Sequence, residues 1–374
     1  MVRWGIAGTG RIARDFAEGL VQTPDAMIVA VGSRSAESGR DFVARVGEMR
    51  ATGHDLSAGG QGTSGQGIGG PGADTIAVGS YEDLWAHPDV DVIYVATPHT
   101  RHHPDTLAAL AAGKHVLCEK PLALNERQAA EMIAAARGAK RFLMEALWSR
   151  FLPPYRDLVG ILAAGTIGEP RLVEATFGFR APYRPAHRLF DPALGGGSIL
   201  DLWLYCLNVA RLALGEHESM TAEAQLTPLG IDHTVHATLR YASGATAVLS
   251  SATRTEMPCT ARIVGTRGRI EIARFMHHPE SFTVVLDGGA SRTHPHPEPG
   301  QGLRHQVPEV HRAIAEGRLE SPIMPWAESL AFLRTMDELR RTIGVRYDAD
   351  GADAPGAPAG SAVATGSRSA GPGE

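Results

Sequence analysis

Apolar residues follow two regimes along the chain. Up to residue 147 they come in short unbroken runs, as in parallel strands buried on both faces, separated by stretches with helical spacing. A strand leads into Gly8, a helix follows over residues 11–20, and residues 27–32, 75–78, 90–96, 115–118 and 142–147 read as further strands. The intervening segments predict helices at 81–86 with Ser80 as N-cap, at 104–112 stopped by Gly113, and at 125–137. Beyond residue 170 the pattern changes to alternation, predicting strands at 171–180, 232–241, 245–254, 261–265, 269–273 and 281–286. One long apolar helix is predicted at 198–214, and two more at about 306–316 and 326–343. The expected fold is an α/β Rossmann domain with a doubly wound parallel sheet, followed by an α+β domain with an open, mainly antiparallel sheet.

A length of 374 residues suits two domains, and the pattern divides them as 1–121 and 122–348. A glycine-rich stretch, His54 to Gly72 (about 53–73), cannot bury enough surface to offset backbone entropy and is expected to be a flexible insertion. The Ala/Gly/Pro/Ser-rich end, 349–374, is expected to be a disordered tail. A formal net charge of −5 with mixed signs argues against nucleic-acid and anionic-membrane partners. No apolar run reads as a membrane span, and the early first strand predicts no signal peptide. Three widely spaced cysteines, Cys118, Cys206 and Cys259, predict reduced thiols in a cytoplasmic protein and no metal site.

Gly8-Thr9-Gly10-Arg11-Ile12 between strand and helix is a dinucleotide-binding turn. Gly8 permits the bend, Gly10 lets backbone N–H groups approach a pyrophosphate, and small Ala13 stands where a third glycine is usual. Methyltransferases also place glycines after a first strand, so the turn alone leaves that reading open. At the end of the second strand, where an NAD binder carries a carboxylate for the ribose, the chain reads Ser33-Arg34-Ser35. A hydroxyl and a guanidinium suit a 2′-phosphate, which predicts NADP with NAD as a lesser partner; the alternative is that Arg34 is a solvated surface residue. Ligands of open α/β sheets bind at the carboxyl ends of strands, so Thr97, His99, His102, Glu119 and Lys120 are expected near the cofactor. Glycines 195–197 open the long helix, on which Asp201 and Tyr205 share a face. They are either functional or a buried pair that satisfies itself.

Together these elements resemble the glucose–fructose oxidoreductase/inositol dehydrogenase/rhizopine-catabolism (Gfo/Idh/MocA) family. The resemblance is carried by Gly8 to Ala13, by Ala96-Thr97-Pro98 with His102, by Gly113 to Val116, by Glu119-Lys120-Pro121, and by Gly195-Gly196-Gly197 with Asp201. Tyr205, with residues 144–151, is similar to the dimeric dihydrodiol dehydrogenase and NADP-dependent D-xylose dehydrogenase branch. The resemblance implies an NADP-dependent dehydrogenase acting on CH–OH groups of a small polyol, sugar or cyclic diol, and a homodimer or higher homo-oligomer. In that role Tyr205 is the acid/base, Lys120 lowers its pKa and donates to the substrate hydroxyl, and Asp201 orients Lys120 or the substrate. Trp148, Arg150 and Phe151 are the expected pocket wall. One departure is Trp203 where the family commonly has glycine; a bulky ring there narrows the pocket or shifts the helix, leaving open a non-catalytic NADP-binding regulator.

Overall fold

The computed structural model describes residues 1–53, 76–297 and 302–351. Most of the expected flexible insertion and disordered tail lies outside these residues. The start of that tail is nevertheless ordered: Asp348–Asp350 form a short helical turn, tied down by Arg340 Nη1 at 2.6 Å from Asp350 Oδ2.

The first sheet has six parallel strands, β1 (Val2–Ala7), β2 (Ala26–Gly32), β3 (Ala77–Gly79), β4 (Val92–Val95), β5 (His115–Glu119) and β6 (Leu143–Ala146). Their order is β3-β2-β1-β4-β5-β6. The parallel sheet thus takes in β6, beyond residue 121. All four residues of β4 are buried, which explains its unbroken Val-Ile-Tyr-Val run. Helices α1 (Arg11–Val21), α2 (Ala36–Gly53), α3 (Tyr81–Ala86), α4 (His99–Ala111) and α5 (Glu126–Ala139) link the strands. Ser80 and Asp83 form a reciprocal capping box on α3, and Asn125 caps α5. Helix α4 begins at His99 rather than at Pro104, which lies inside it. Pro104 is the sixth residue of the helix, past its first turn, and removes the backbone bond its position would otherwise make to Thr100. His99 and His102 are therefore helical residues of its first turns. Strand order reverses between β1 and β4, which opens a crevice at their carboxyl ends.

After α6 (Pro153–Ala163), a helix the apolar pattern did not predict, comes an eight-stranded sheet. Its strands are β7 (Pro170–Gly178), β8 (Ser219–Leu226), β9 (Asp232–Arg240), β10 (Thr246–Ala252), β11 (Ala261–Gly265), β12 (Gly268–Ile272), β13 (Ser281–Leu286) and β14 (Ser291–Pro295). They lie in the order β14-β13-β12-β11-β7-β10-β9-β8. Only β7 and β10 pair in parallel. The two edge strands escaped the sequence reading: β8 alternates Met220, Ala222, Ala224 and Leu226 with polar residues, but these apolar positions are at best partly buried, and β14 is mostly exposed with no apolar alternation.

The expected helix at 198–214 is composite: a π-helical turn, Ile199–Trp203, runs into α7 (Leu204–Leu214). By length and composition the segment Pro192–Leu214 could span a membrane, which corrects the reading that no apolar run could. Its most apolar stretch is 78% buried inside the protein, the position of a core helix. The last helices, α8 (Val307–Ala315) and α9 (Trp326–Ile343), return to the first sheet. Trp4 Nε1 lies 3.0 Å from His311 Nε2, and the Trp326 indole donates to the Leu143 carbonyl at 2.9 Å.

Candidate active site

A cleft of about 770 Å³ lies at the carboxyl ends of the parallel strands, between the two sheets' domains. At one end are Gly8, Thr9, Gly10, Arg11 and Ile12, with Ser33, Arg34 and Ser35 beside them. Gly8 has φ +104°, and a Cβ there would stand 2.7 Å from the Ala96 carbonyl oxygen. Gly10 caps α1 without any side chain accepting its first N–H groups, and a Cβ on it would enter open space. These free donors at a helix N-terminus fit a dinucleotide pyrophosphate. Among the described residues at the end of β2, Arg34 is exposed and Ser33 is buried, its hydroxyl 2.7 Å from that of Ser38. No carboxylate from the tip of β2 lines the cleft.

The middle of the cleft is held by backbone-bonded polar residues. Thr97 Oγ1 donates to Asp105 at 2.8 Å. His102 lies between the carbonyls of Pro121 (2.8 Å) and Thr97 (3.0 Å), and His99 Nδ1 is 2.9 Å from the Gly195 carbonyl. Burial lowers the pKa of both histidines, His99 to about 3, so neither is a ready proton acceptor near neutrality. Glu119 accepts a hydrogen bond from the Tyr94 hydroxyl, and burial pushes its carboxyl up to about 7.

Lys120 leaves the end of β5 across a cis Lys120–Pro121 bond. Its Nζ donates to the carboxylate of Asp201 at 3.0 Å and to the backbone carbonyl of the same residue at 2.8 Å. Asp201 lies in the π-helical turn. Asp201 also meets Arg188 at 3.2 Å. Burial disfavours the charge on Asp201, yet Lys120 and Arg188 hold its carboxyl well below the usual range. Burial likewise opposes the Lys120 charge, but Asp201, Tyr205 and Glu119 together outweigh it, so the ammonium is raised above its ordinary value. Nζ stands 5.0 Å from the centre of the Tyr205 ring, whose hydroxyl accepts from the Trp148 indole at 2.9 Å. The turn carrying Asp201 is anchored from β9: Asp232 accepts from the Ser198 hydroxyl (2.8 Å) and the Ile199 amide (2.9 Å). At Gly197, φ is +125° and a Cβ would meet Asp232 at 2.5 Å.

The structure brings Lys120, Asp201, Tyr205 and Trp148 together with the glycine turn, but three expectations need correction. Arg150 and Phe151 do not line the cleft. Arg150 turns into the core, bonding Asn208 at 2.7 Å and Glu328 at 2.7 Å, because a buried guanidinium requires an anionic partner. Trp203 is fully buried in the core and does not narrow the cleft. The Tyr205 phenol is not lowered overall: burial pushes it up to about 12, and Lys120 only opposes that rise. Four wall residues were missed. Phe177 and Phe179 sit where β7 ends, Arg188 lies in the loop before the glycines, and His277 lies between β12 and β13. The His277-His278 pair in a short interstrand loop was the available signal.

This arrangement can bind a dinucleotide on the first domain and present a buried lysine–phenol pair to a second molecule. The comparisons agree with it. Residues 2–147 match the oxidoreductase family with an NAD-binding Rossmann fold, and residues 155–271 match the GFO/IDH/MocA C-terminal domain. A trans-1,2-dihydrobenzene-1,2-diol dehydrogenase of Xenopus laevis is 37% identical over 92% of this chain and 99% of its own length. The enzyme of that name from Mus musculus is 32% identical over 93% of this chain and 99% of its own length. Among solved structures, the aldose-aldose oxidoreductase of Caulobacter crescentus, complexed with glycerol, superposes with a TM-score of 0.76. It is 28% identical and covers 91% of this chain and 96% of its own. The chain belongs to the Gfo/Idh/MocA family of oxidoreductases, with an N-terminal NAD(P)-binding domain.

Proposed function

We propose that this protein is an NADP-preferring dehydrogenase acting on a ring CH–OH of a sugar or cyclic diol, with Tyr205 as acid/base and Lys120 as its electrostatic partner. The observation that carries this reading is Lys120 itself, gripped by the carboxylate and carbonyl of Asp201 and poised over the Tyr205 ring in the dinucleotide cleft. A bound nicotinamide supplies the hydride acceptor or donor. Tyr205 Oη takes the proton from the substrate hydroxyl in the oxidative direction and returns it in reduction. Lys120 stabilises the phenolate and donates to the substrate oxygen, while Asp201 fixes its position. The relatives named for a cyclic diol and an aldose support the substrate class, and Arg34 without a neighbouring carboxylate supports NADP. With Trp203 outside the cleft, little favours a non-catalytic NADP-binding regulator. The half-exposed edge of the second sheet supports the expected homo-oligomer.

The test is NADP reduction at alkaline pH against D-xylose, D-glucose, myo-inositol and a trans-dihydrodiol, with NAD in parallel. Turnover with one of these is expected, along with loss of turnover but not of NADP binding in Tyr205→Phe. Tight NADP binding without turnover on any substrate would overturn the enzymatic reading. Near-normal turnover by Tyr205→Phe would remove Tyr205 from the mechanism.

A further inference from the structure

One wall of the cleft is largely aromatic. Trp148, Phe177 and Tyr205 supply apolar faces, and the His277 ring completes the group. It stacks on Phe177 (centroids 4.4 Å, planes 25° apart) and lies 5.4 Å from the Tyr205 ring and 6.0 Å from the Trp148 ring. Its neighbour His278 closes the outside, 5.9 Å from Trp148 and stacked at 5.3 Å on exposed Phe275. With Phe275 and His278 as well, five rings surround His277 without making a hydrogen bond to it. No described residue bonds either ring nitrogen, and Nδ1 is buried without a partner.

A buried imidazole nitrogen left unpaired is costly, and in a ligand cleft it is open to a hydrogen bond from a bound molecule. Burial and the nearby Lys120 charge also keep the ring neutral. A neutral imidazole offers one donor and one acceptor, and rotation about χ2 can present either to the cleft. Its position beside Tyr205 matters most. The two ring centres are 5.4 Å apart and both line the cleft, close enough for one small ring substrate to touch both.

We propose that His277 is a specificity-determining residue that hydrogen-bonds a second hydroxyl, on the carbon next to the one that reacts, so that the site selects vicinal diols and polyols over mono-alcohols and deoxy sugars. This rests on the dehydrogenase reading for which hydroxyl reacts, but the binding contact does not depend on turnover. The aromatic faces receive the C–H surface of the substrate ring, and His277 supplies the polar recognition they lack.

The test uses two pairs of probes differing by one neighbouring hydroxyl: trans-cyclohexane-1,2-diol against cyclohexanol, and D-glucose against 2-deoxy-D-glucose. Binding to the NADP complex is measured by calorimetry, and NADP reduction is measured in parallel, for wild type and His277→Phe. Phenylalanine keeps the stacking and shape but has no ring nitrogen. Wild type is expected to favour the hydroxylated member of a pair by about tenfold or more, and His277→Phe to collapse that ratio towards one. His277→Gln, which restores a donor and an acceptor, should recover part of it. A wild type that binds neither pair with any preference overturns the proposal. So does a His277→Phe variant that weakens both members equally, because the ring would then act by packing alone. Binding preference without turnover of any probe would instead refute the dehydrogenase reading and leave the His277 contact standing.

Discussion

Replacing Lys120 with methionine should reveal how the site manages the Tyr205 proton. Two effects compete at that phenol: burial raises its pKa to about 12, and the Lys120 charge opposes burial. With Nζ 5.0 Å from the ring centre and an effective dielectric of about 20, the attraction for a phenolate is about 3 kcal/mol, or roughly two pKa units. Lys120→Met removes that attraction and leaves burial unopposed, so the phenol rises further. The assay is kcat/KM for NADP reduction between pH 7 and pH 10, with NADP affinity followed separately. Wild type should rise about tenfold per pH unit, as expected when a high-pKa base must lose its proton first. The variant should keep that slope but lie about 100-fold lower at each pH. NADP affinity should change far less than turnover, and added methylammonium should restore part of the rate by refilling the vacated cation site. A pH profile displaced by less than about threefold would refute the electrostatic coupling. A wild-type rate that is flat with pH would refute a phenol base altogether.

Arg34→Asp should raise the apparent KM for NADP by about 10- to 100-fold more than that for NAD, the value of charged hydrogen bonds to a phosphate; equal changes would refute the assignment of Arg34. Burial raises Glu119 from 4.5 to about 7, so its contribution to stability is whole below the lower value and is lost as pH rises through the higher. Glu119→Gln should therefore gain on wild type by up to about 3 kcal/mol between pH 5 and pH 8 in urea unfolding, and a constant difference would refute the shift. Gly197→Ala must place a Cβ 2.5 Å from Asp232 at φ +125° and should cost about 1–3 kcal/mol of stability; an unchanged melting temperature would refute the anchoring role of that contact.

Much of the fold was legible because burial leaves a mark on composition. β4 reads as an unbroken apolar run since both its faces are covered, and β9 and β10 alternate since one face of each is buried. Where burial fails, the mark fails with it. β14 lies at one edge of the second sheet with most side chains in solvent, so nothing in its residues distinguishes it from a loop, whereas β8 at the other edge alternates only weakly, through small or partly exposed apolar residues. The start of α4 was misplaced for a different reason. Proline is commonest at the first helical position and costly in the interior, so the sequence points to a start at Pro104, and only the backbone reveals that the residue lies inside the helix.

The site divides along the same physical line. Strand ends and helical spacing singled out Lys120, Asp201 and Tyr205, and the family resemblance gave them their roles. What spacing cannot report is the environment into which they are brought. Arg150 follows Trp148 by two residues, yet one ring nitrogen reaches the Tyr205 hydroxyl while the guanidinium turns away to Asn208 and Glu328. A buried arginine goes where carboxylates await it, and Glu328 comes from a helix far along the chain. The same reasoning applies to Tyr205. A nearby lysine gives a phenol a net lowered pKa only where its attraction exceeds the cost of burying the phenolate. Here the helix that aims the phenol is also a core helix, and its burial outweighs the lysine. The sign of the shift is thus decided by the packing of α7 against the second sheet. Substitutions that open that packing to water should lower the Tyr205 pKa even though they touch neither Lys120 nor Asp201.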